Sequence, residues 1–297
     1  MKIGVLMGGI SSEREVSLNS GKEIIKNLNK TKYDVKPIII DDAESVENKV
    51  KGMDFIFIAL HGTFGEDGKV QEILEKINMP YSGSGVFTSA TCMDKNKTKE
   101  ILKMHRIPVA PSLIIKNNSS YNIEEINDLG YPLVIKPNSG GSSIGTNLVK
   151  NQTEVRQCLD EAFNYDSDVM IEKYIKGIEY TAPILNGEVL PILTIKPSGE
   201  FFDYNSKYVS GKAEETYIKL TEELEKRIKT ICETCWKIFN CKAYVRLDII
   251  ISEGIPYVLE LNTLPGMTEN SLFPKSAKEA NISYSELLDK IIEYSLA

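Results

Sequence analysis

The sequence predicts a mixed α/β and α+β fold in three successive units, at residues 1–90, 91–176 and 177–297. In the first unit, strand-like apolar runs alternate with helical patterns, which is typical of a parallel sheet covered by helices. In the other two, strand patterns follow one another with few helices between them, which favours hairpins and an α+β arrangement. Ligands of parallel sheets bind where strands end and helices begin, so the loops at those points are candidate sites.

Composition limits the partners and the compartment. The chain has 297 residues, a net charge of −7 and no apolar run of the roughly 18 residues that a membrane span needs. The acidic balance argues against nucleic acids and anionic membranes as partners. Five cysteines without a framework spacing fit reduced thiols in a cytoplasm. Cys232 and Cys235 lie in a helical pattern, where a buried helix face is a better interpretation than a zinc or redox site.

In the first unit, two loops follow predicted strands. The strands are KIGVLM, DVKPIII and DFIFIAL, and the helices are EVSLNSGKEIIKNL and KVQEILEKI. The loops are MGGISSERE, residues 7–15, and HGTFGEDG, residues 61–68. Ser12 and Glu15 have the spacing of a capping box, which predicts a helix start. Glu13, beside that start, is either a surface acid that the helix dipole favours or a ligand of a substrate.

The second unit contains a loop rich in glycine and serine. Its predicted elements are a helix over TCMDKNKTKEILKMHRI with Asp94 as a cap, the strands PSLII, YPLVIKP, TNLVK and VMIEKYI, and the helix EVRQCLDEAF. The loop KPNSGGSSIG lies between two strands and lacks the P-loop pattern. Its backbone N–H groups suit phosphate oxygens, with Lys136 beside them, and an ordinary hairpin turn is the alternative.

A charged segment closes the second unit. In VMIEKYIKGIEYT an apolar strand runs into Glu172 and Lys173, and Glu179 follows. Such a segment suits a flat base and the hydroxyls of a ribose. The alternative is an edge strand with solvated charges.

The third unit holds the sharpest signal, a predicted hairpin over AYVRLDIIISEGIPYVLELN. The unit's other predicted elements are the strands TAPILN and EVLPILTI, a helix from Thr221 to Phe239 and a last helix after Tyr284. Because strand side chains alternate between faces, the hairpin presents one mainly polar face. That face is predicted to carry Arg246, Asp248, Ile250, Val258, Glu260 and Asn262.

The predicted register brings two carboxylates together. A turn centred on Gly254 sets Asp248 opposite Glu260 and Arg246 opposite Asn262. Like charges directly opposite destabilise a sheet unless a cation lies between them. Oxygen ligands suit Mg²⁺ with phosphate oxygens, whereas a cross-strand salt-bridge ladder is the alternative.

Together, these blocks resemble the D-alanine–D-alanine ligases of the ATP-grasp superfamily over nearly the whole chain. The matching blocks are SEREVSLNSG, ALHGTFGEDG, PYSGSGV, MDKNKTK, KPNSGGSSIG, IEKYIKGIEYT, SKY, RLDIII and ELNTLPGMTENSLFP. The resemblance implies an ATP-grasp fold with an N-terminal parallel-sheet domain, a central ATP-binding subdomain and a C-terminal catalytic domain. It also implies ATP-dependent ligation of two D-alanines through an acyl phosphate, for peptidoglycan precursor synthesis.

The resemblance implies a role for each matching residue. The residues expected to bind ATP are Lys95, Lys136 and Lys207 near the phosphates, Glu172, Lys173 and Ile175 around adenine, and Glu179 at the ribose. Those expected to hold two Mg²⁺ ions, or Mn²⁺, are Asp248, Glu260 and Asn262.

Further residues are implied around the amino acids. Those expected to surround the two D-alanines are Glu13, His61, Ser271 and Leu272. Arg246 and the Gly266 amide are expected to stabilise the oxyanion. Ser142 and Tyr208 are expected to join Glu13 in a hydrogen-bonded network as the Lys207-Tyr208 pair closes over the site.

Two alternatives remain open at this point. One is a D-alanine–D-lactate ligase or another ATP-grasp carboxylate–amine ligase, against which the Lys207-Tyr208 pair argues. The other is a nucleotide-binding regulatory module without turnover, which the intact polar hairpin disfavours. We expect a homodimer.

Overall fold

The computed structural model describes residues 1–117, 120–197, 213–217 and 220–297. The strands are β1 (Lys2–Gly8), β2 (Asp34–Ile40), β3 (Phe55–Ile58), β4 (Ser112–Lys116), β5 (Leu133–Pro137), β6 (Asn147–Val149), β7 (Asp168–Lys173), β8 (Ile178–Leu185), β9 (Glu188–Val189), β10 (Leu193–Pro197), β11 (Ala213–Tyr217), β12 (Tyr244–Ser252) and β13 (Ile255–Asn262). The helices are α1 (Arg14–Asn27), α2 (Val46–Lys49), α3 (Lys69–Lys76), α4 (Val86–Met93), α5 (Lys95–Met104), α6 (Ile123–Asp128), α7 (Gln152–Ala162), α8 (Glu222–Ile238), α9 (Leu272–Glu279) and α10 (Tyr284–Leu296).

The first sheet is parallel, as the alternating pattern predicts. Its order is β2-β1-β3, and β1 is buried along nearly its whole length. Pro37 lies in β2, an edge strand, where its missing N–H is tolerated. The predicted capping box of α1 is wrong, because Glu13 is the N-cap residue and no side chain caps the helix.

The second sheet is antiparallel, with the order β4-β7-β5-β6. Strand β7 is therefore interior, bonded to β4 on one side and to β5 on the other. This contradicts the edge-strand alternative for Glu172, which is only 5% exposed. The glycine-rich loop connects β5 to β6, two strands that pair with each other.

The third sheet has the path β11-β10-β8-β12-β13, with β9 paired to β8. The predicted hairpin register is confirmed, since Asp248 pairs with Glu260 and Arg246 with Asn262. A bulge follows, and Ile249 pairs with Val258. The predicted face of Val258 is therefore wrong, because the extra residue turns it into the apolar core.

Two predicted elements are divided in the structure. The predicted helix around Asp94 is two helices, α4 and α5, because Asp94 has extended backbone and caps α5 by accepting from the Lys97 amide. The predicted strand EVLPILTI is β9 and β10, interrupted around Pro191, which has no N–H for a ladder.

Three apolar clusters form the core. The first joins the N-terminal sheet to α9 and α10, the second lies between the third sheet and α8, and the third covers the second sheet. Cys232 and Cys235 belong to the second cluster, and burial raises the pKa of the Cys232 thiol to about 12, which fits the predicted buried helix face. The three unit boundaries remain predictions. No helix in the described part of the chain is long and apolar enough to cross a membrane.

Candidate active site

Two cavities adjoin at the polar hairpin. The larger, of about 560 Å³, is lined by Lys95, Lys136, Glu172 and part of the glycine-rich loop. The smaller, of about 400 Å³, is lined by Glu13, His61 and the stretch Leu264–Gly266. Their shared lining residues are Gly141, Glu179, Ile195, Asp248 and Glu260. The arrangement allows a bound molecule in one cavity to react with one in the other across the carboxylate pair.

The glycine-rich loop is held in an uncommon backbone conformation. Ser142 and Ser143 have φ of 55° and 56°, a left-handed region that residues with side chains seldom adopt and that often marks ligand-binding loops. The Lys95 ammonium donates to the carbonyl oxygens of Gly140, at 2.7 Å, and Asn138, at 3.4 Å. Helix α5 therefore anchors the loop through the same cation that faces the larger cavity.

Glu172 is buried between two cations. Lys136 donates to one carboxylate oxygen and Lys99 to the other. Burial would raise the pKa of Glu172, but the two ammonium groups outweigh it and lower the pKa to about 2.

The backbone after Glu172 completes the same wall of the larger cavity. The Lys173 ammonium turns to the carbonyl oxygens of Gly130, at 2.6 Å, and Tyr131, at 3.3 Å. Lys173 and Ile175 nevertheless line the cavity, as does Glu179. The structure thus brings together the residues expected around adenine and ribose.

The hairpin carries a carboxylate that accepts hydrogen bonds from three neighbouring side chains. Asp248 is 4% exposed and accepts from Thr181 at 2.7 Å, from Arg246 at 2.9 and 2.6 Å, and from Asn262 at 3.0 Å. Burial would lower the pKa of the Arg246 guanidinium, but the Asp248, Glu260 and Glu179 carboxylates raise it. Arg246 therefore remains a cation beside the shared wall.

The hairpin residues fit a divalent cation bound together with phosphate oxygens. Asp248 and Glu260 are directly opposite, and the Asn262 amide lies beside both. In the described ranges no cluster of three or more His, Cys, Asp or Glu side chains could hold a metal by itself. Two carboxylates and one carboxamide are hard oxygen donors, and Mg²⁺ usually retains waters and substrate oxygens as its remaining ligands.

Glu13 lies where two glycines approach its carboxylate. A Cβ at Gly62 would lie 2.5 Å from Glu13 Oε2, and one at Gly141 would lie 3.4 Å from it. Ser142 donates its hydroxyl to Glu13 Oε1, as the predicted network requires. Glu13 is only 8% exposed, which does not fit the surface-acid alternative.

His61 is oriented by two neighbours that the sequence analysis did not identify. Its Nε2 lies 3.1 Å from the Ser20 hydroxyl and its Nδ1 lies 3.4 Å from the Glu66 carboxylate. Glu66 also accepts from the Gly62 amide and lines the smaller cavity. The sequence signal for each was its place in a matching block, HGTFGEDG for Glu66 and SEREVSLNSG for Ser20.

The start of α9 forms the far side of the smaller cavity. Gly266, Ser271 and Leu272 all line it. Ser271 is the N-cap residue, and its hydroxyl lies 2.7 Å from that of Thr268. Backbone N–H groups at a helix start favour anions, which suits a carboxylate. Lys207 and Tyr208 lie outside the described residues.

Comparison with known proteins identifies relatives along the full length. A family model described as "D-ala D-ala ligase N-terminus" matches residues 2–47 and 41–84, and one described as "D-ala D-ala ligase C-terminus" matches residues 101–293. The D-alanine–D-alanine ligase of Clostridium botulinum (strain Loch Maree / Type A3) is 55% identical over 296 residues, which cover 100% of this chain and 99% of the relative.

Solved structures share the architecture. The crystal structure of D-alanine–D-alanine ligase from Bacillus anthracis complexed with ATP superposes with a TM-score of 0.92 at 45% identity, covering 100% of this chain and 97% of that one. The VanG D-Ala:D-Ser ligase from Enterococcus faecalis superposes with a TM-score of 0.86 at 32% identity, covering 99% of each chain.

Proposed function

The chain belongs to the D-alanine–D-alanine ligase family and has its ATP-grasp fold, and from that premise we propose how its residues join two D-alanines. The reaction converts ATP to ADP and phosphate and forms the dipeptide needed for peptidoglycan precursors. The observation that carries the residue assignments is the pair of adjoining cavities that share Glu179, Asp248 and Glu260.

The larger cavity takes ATP. A carboxylate repels phosphates, so the wall with Glu172, Lys173 and Ile175 receives the uncharged base, and Glu179 receives the ribose hydroxyls. Lys95, Lys136 and the N–H groups of the loop around Ser142 and Ser143 receive the phosphates. Lys207, outside the described residues, is proposed to add a further contact to ATP.

The smaller cavity takes the amino acids. Glu13 holds the ammonium group of the first D-alanine, with His61 beside it. Ser271 and Leu272, at the start of α9, hold the carboxylate of the second, because a helix start favours an anion. Tyr208 is proposed to join Glu13 and Ser142 when the second substrate is bound.

Asp248, Glu260 and Asn262 would hold two Mg²⁺ ions, or Mn²⁺. When bound, they would supply positive charge to the transferred phosphoryl group. Among this chain's own residues, Thr181 orients Asp248, and Arg246 places a positive charge beside Asp248 where the two cavities adjoin.

Chemistry then proceeds in two displacements. A carboxylate oxygen of the first D-alanine attacks the γ-phosphorus, ADP leaves, and an acyl phosphate forms. The amine of the second D-alanine attacks the acyl carbon, loses a proton and displaces phosphate. Arg246 and the Gly266 amide face the oxygen that becomes an oxyanion. Removing one such preorganised donor costs about 3 kcal/mol of transition-state stabilisation.

Phosphate release and product analysis test this proposal. The assay supplies ATP and Mg²⁺ with D-alanine alone, with D-alanine plus D-serine or D-lactate, or with L-alanine alone, and identifies the product by mass. We expect D-alanyl-D-alanine as the main product and no release with L-alanine. A depsipeptide or a mixed dipeptide as the main product would favour the alternative ligases, and no release with any acceptor would favour the regulatory module.

The metal assignment has its own test. Glu260→Gln keeps the side chain's size and removes one charge, so it should abolish phosphoryl transfer with little loss of fold. Normal turnover of the variant at ordinary Mg²⁺ would contradict the assignment.

Self-association as a homodimer and a cytoplasmic location are also part of the proposal. All five cysteines are free thiols, which supports a reducing compartment. Sedimentation velocity would measure the oligomeric state directly.

A further inference from the structure

Lys99 is a buried cation to which the proposed function assigns no role. It is 2% exposed and lies on α5, one turn after Lys95, so both side chains project from the same face of the helix. Lys95 reaches the glycine-rich loop, whereas Lys99 donates to the Ala110 carbonyl oxygen at 3.0 Å and to Glu172 Oε2. Lys99 does not line the larger cavity, although both of its partners do.

The two lysines divide the carboxylate of Glu172 between them. Lys136 donates to Oε1 and Lys99 to Oε2, so each oxygen has one cation and retains acceptor capacity. Glu172 sits in register opposite Val134, which also lines the cavity. The Glu172 carboxylate therefore borders the larger cavity beside the apolar side chain of Val134. An ionised carboxylate accepts hydrogen bonds and cannot donate them.

We propose that Lys99 is a positioning residue that sets the choice of nucleobase, by fixing the Glu172 carboxylate as an acceptor that faces the base. The inference rests on the proposed function, in which this cavity takes ATP. Adenine presents an exocyclic amino group, which such an acceptor binds. Hypoxanthine presents a carbonyl oxygen at the same ring position, which the carboxylate repels.

The orientation depends on both cations. Without Lys99, the charged partner left to Glu172 among the described residues is Lys136, and the carboxylate turns toward that side. The Glu172 carboxylate then no longer faces the base, and it draws the Lys136 ammonium away from the phosphates. A neutral side chain at position 99 should therefore weaken ATP binding and reduce the preference for ATP over ITP together.

The experiment measures binding of ATP and of ITP by calorimetry, without D-alanine, in the parent protein, in Lys99→Met, in Glu172→Gln and in the double variant. Binding without D-alanine separates this test from the proposed function, which the product assay tests on its own. A hydrogen bond to a charged group is worth about 10-fold to 150-fold in affinity, so Lys99→Met should lower the ATP/ITP affinity ratio about 10-fold or more. Glu172→Gln should also lower the ratio, because an amide can donate to the hypoxanthine oxygen.

The double variant decides whether Lys99 acts through Glu172. If it does, Lys99→Met produces no further change in the ratio once Glu172 is Gln. Lys103→Met removes an exposed ammonium one turn later on α5 and should leave the ratio unchanged.

Steady-state kinetics add a second readout. Lys99→Met should raise KM for ATP and leave KM for D-alanine within about twofold of the parent, because the change lies at the base. A variant with a lower melting temperature but the parent's ATP/ITP ratio would overturn the proposal, since Lys99 would then only neutralise a buried charge. The proposal would also be overturned if Lys99→Met lowered the ATP/ITP affinity ratio equally with Glu172 present and with Gln in its place.

Discussion

Glu13 is surrounded by groups that leave its carboxylate very little room. Ser142 donates to one oxygen, and a Cβ added at Gly62 or Gly141 would lie 2.5 Å or 3.4 Å from the other. Gly62 also has φ of +68°, which a residue with a side chain adopts only under strain. Glycine at this position therefore avoids both backbone strain and a displacement of the candidate ligand of the first D-alanine.

Gly62→Ala should raise KM for the first D-alanine about 10-fold, because the added Cβ would lie 2.5 Å from Glu13 Oε2 and must displace it from a charge-assisted hydrogen bond. Gly52→Ala is a matched control, since Gly52 has φ of +79° with no atom within 4 Å of the added Cβ. Both variants should lose about 1–2 kcal/mol of unfolding free energy from the left-handed backbone. Initial rates against D-alanine concentration measure the difference, and equal KM values in the two variants would remove Glu13 from the substrate site.

Glu172 should make stability depend on pH in a defined direction. Its folded pKa of about 2 lies below the usual glutamate value of 4.5, so its ionised form stabilises the fold above pH 4.5. This stabilisation is lost as the pH falls from 4.5 toward 2. In urea unfolding, the stability difference between the parent and Glu172→Gln should therefore shrink over that range. A difference that stays constant would show that the carboxylate charge contributes nothing, and Glu100→Gln controls for loss of an exposed carboxylate on α5.

At the scale of elements, the site depends on how three neighbouring strands are aligned. Strand β8 pairs with β12 so that Thr181 is opposite Asp248, and β12 pairs with β13 so that Asp248 is opposite Glu260. Thr181 is fully buried and donates to Asp248 at 2.7 Å. The strand register therefore sets the orientation of one candidate metal ligand.

Thr181→Val should weaken Mn²⁺ binding up to about 10-fold, because a net hydrogen bond is worth about 0.5–1.5 kcal/mol and valine keeps the shape without the donor. Thr181→Ser keeps the hydroxyl and should bind Mn²⁺ within about twofold of the parent. Mn²⁺ titration in the presence of ATP, followed by electron paramagnetic resonance, measures both. Equal affinities in the Val and Ser variants would mean that the hydroxyl does not orient Asp248.

At the scale of the whole molecule, the two ends of the chain share one core. The buried residues Leu287, Leu288 and Ile291 of α10 belong to the same cluster as Ile3 and Val5 of β1. A salt bridge between Lys32 and Asp289, at 2.6 Å, joins the same two regions at the surface. The N-terminal sheet is therefore stabilised by the last helix.

Ile291→Ala should lower the unfolding free energy by about 2–5 kcal/mol, the usual result of truncating a fully buried isoleucine. Amide hydrogen exchange should show faster exchange in β1 and β3 as well as in α10. Leu296→Ala, at a position of α10 that is 48% exposed, is the matched control and should change little. Faster exchange confined to α10 would contradict a shared core.

The sequence predicted patterns within elements better than contacts between them. The hairpin register followed from strand alternation and one turn, and it was correct from Arg246 to Asp248. The bulge was missed, because an extra residue in an apolar strand leaves no distinct pattern. Thr181 and Lys99 were missed because their partners, Asp248 and Glu172, lie 67 and 73 residues away. The only local sequence signal for Lys99 was its spacing of four residues from Lys95.

The hydroxyl of Ser142 has a thermodynamic consequence. It belongs to the loop proposed to enclose the phosphates, yet it donates to Glu13 in the amino-acid cavity. Occupancy of either cavity then biases the same loop, so the two ligands are expected to bind with heterotropic cooperativity. Reciprocity requires that D-alanine tighten ATP by the same factor by which ATP tightens D-alanine. Without the hydroxyl, the part of this mutual influence that the Ser142–Glu13 hydrogen bond carries would be lost in both directions.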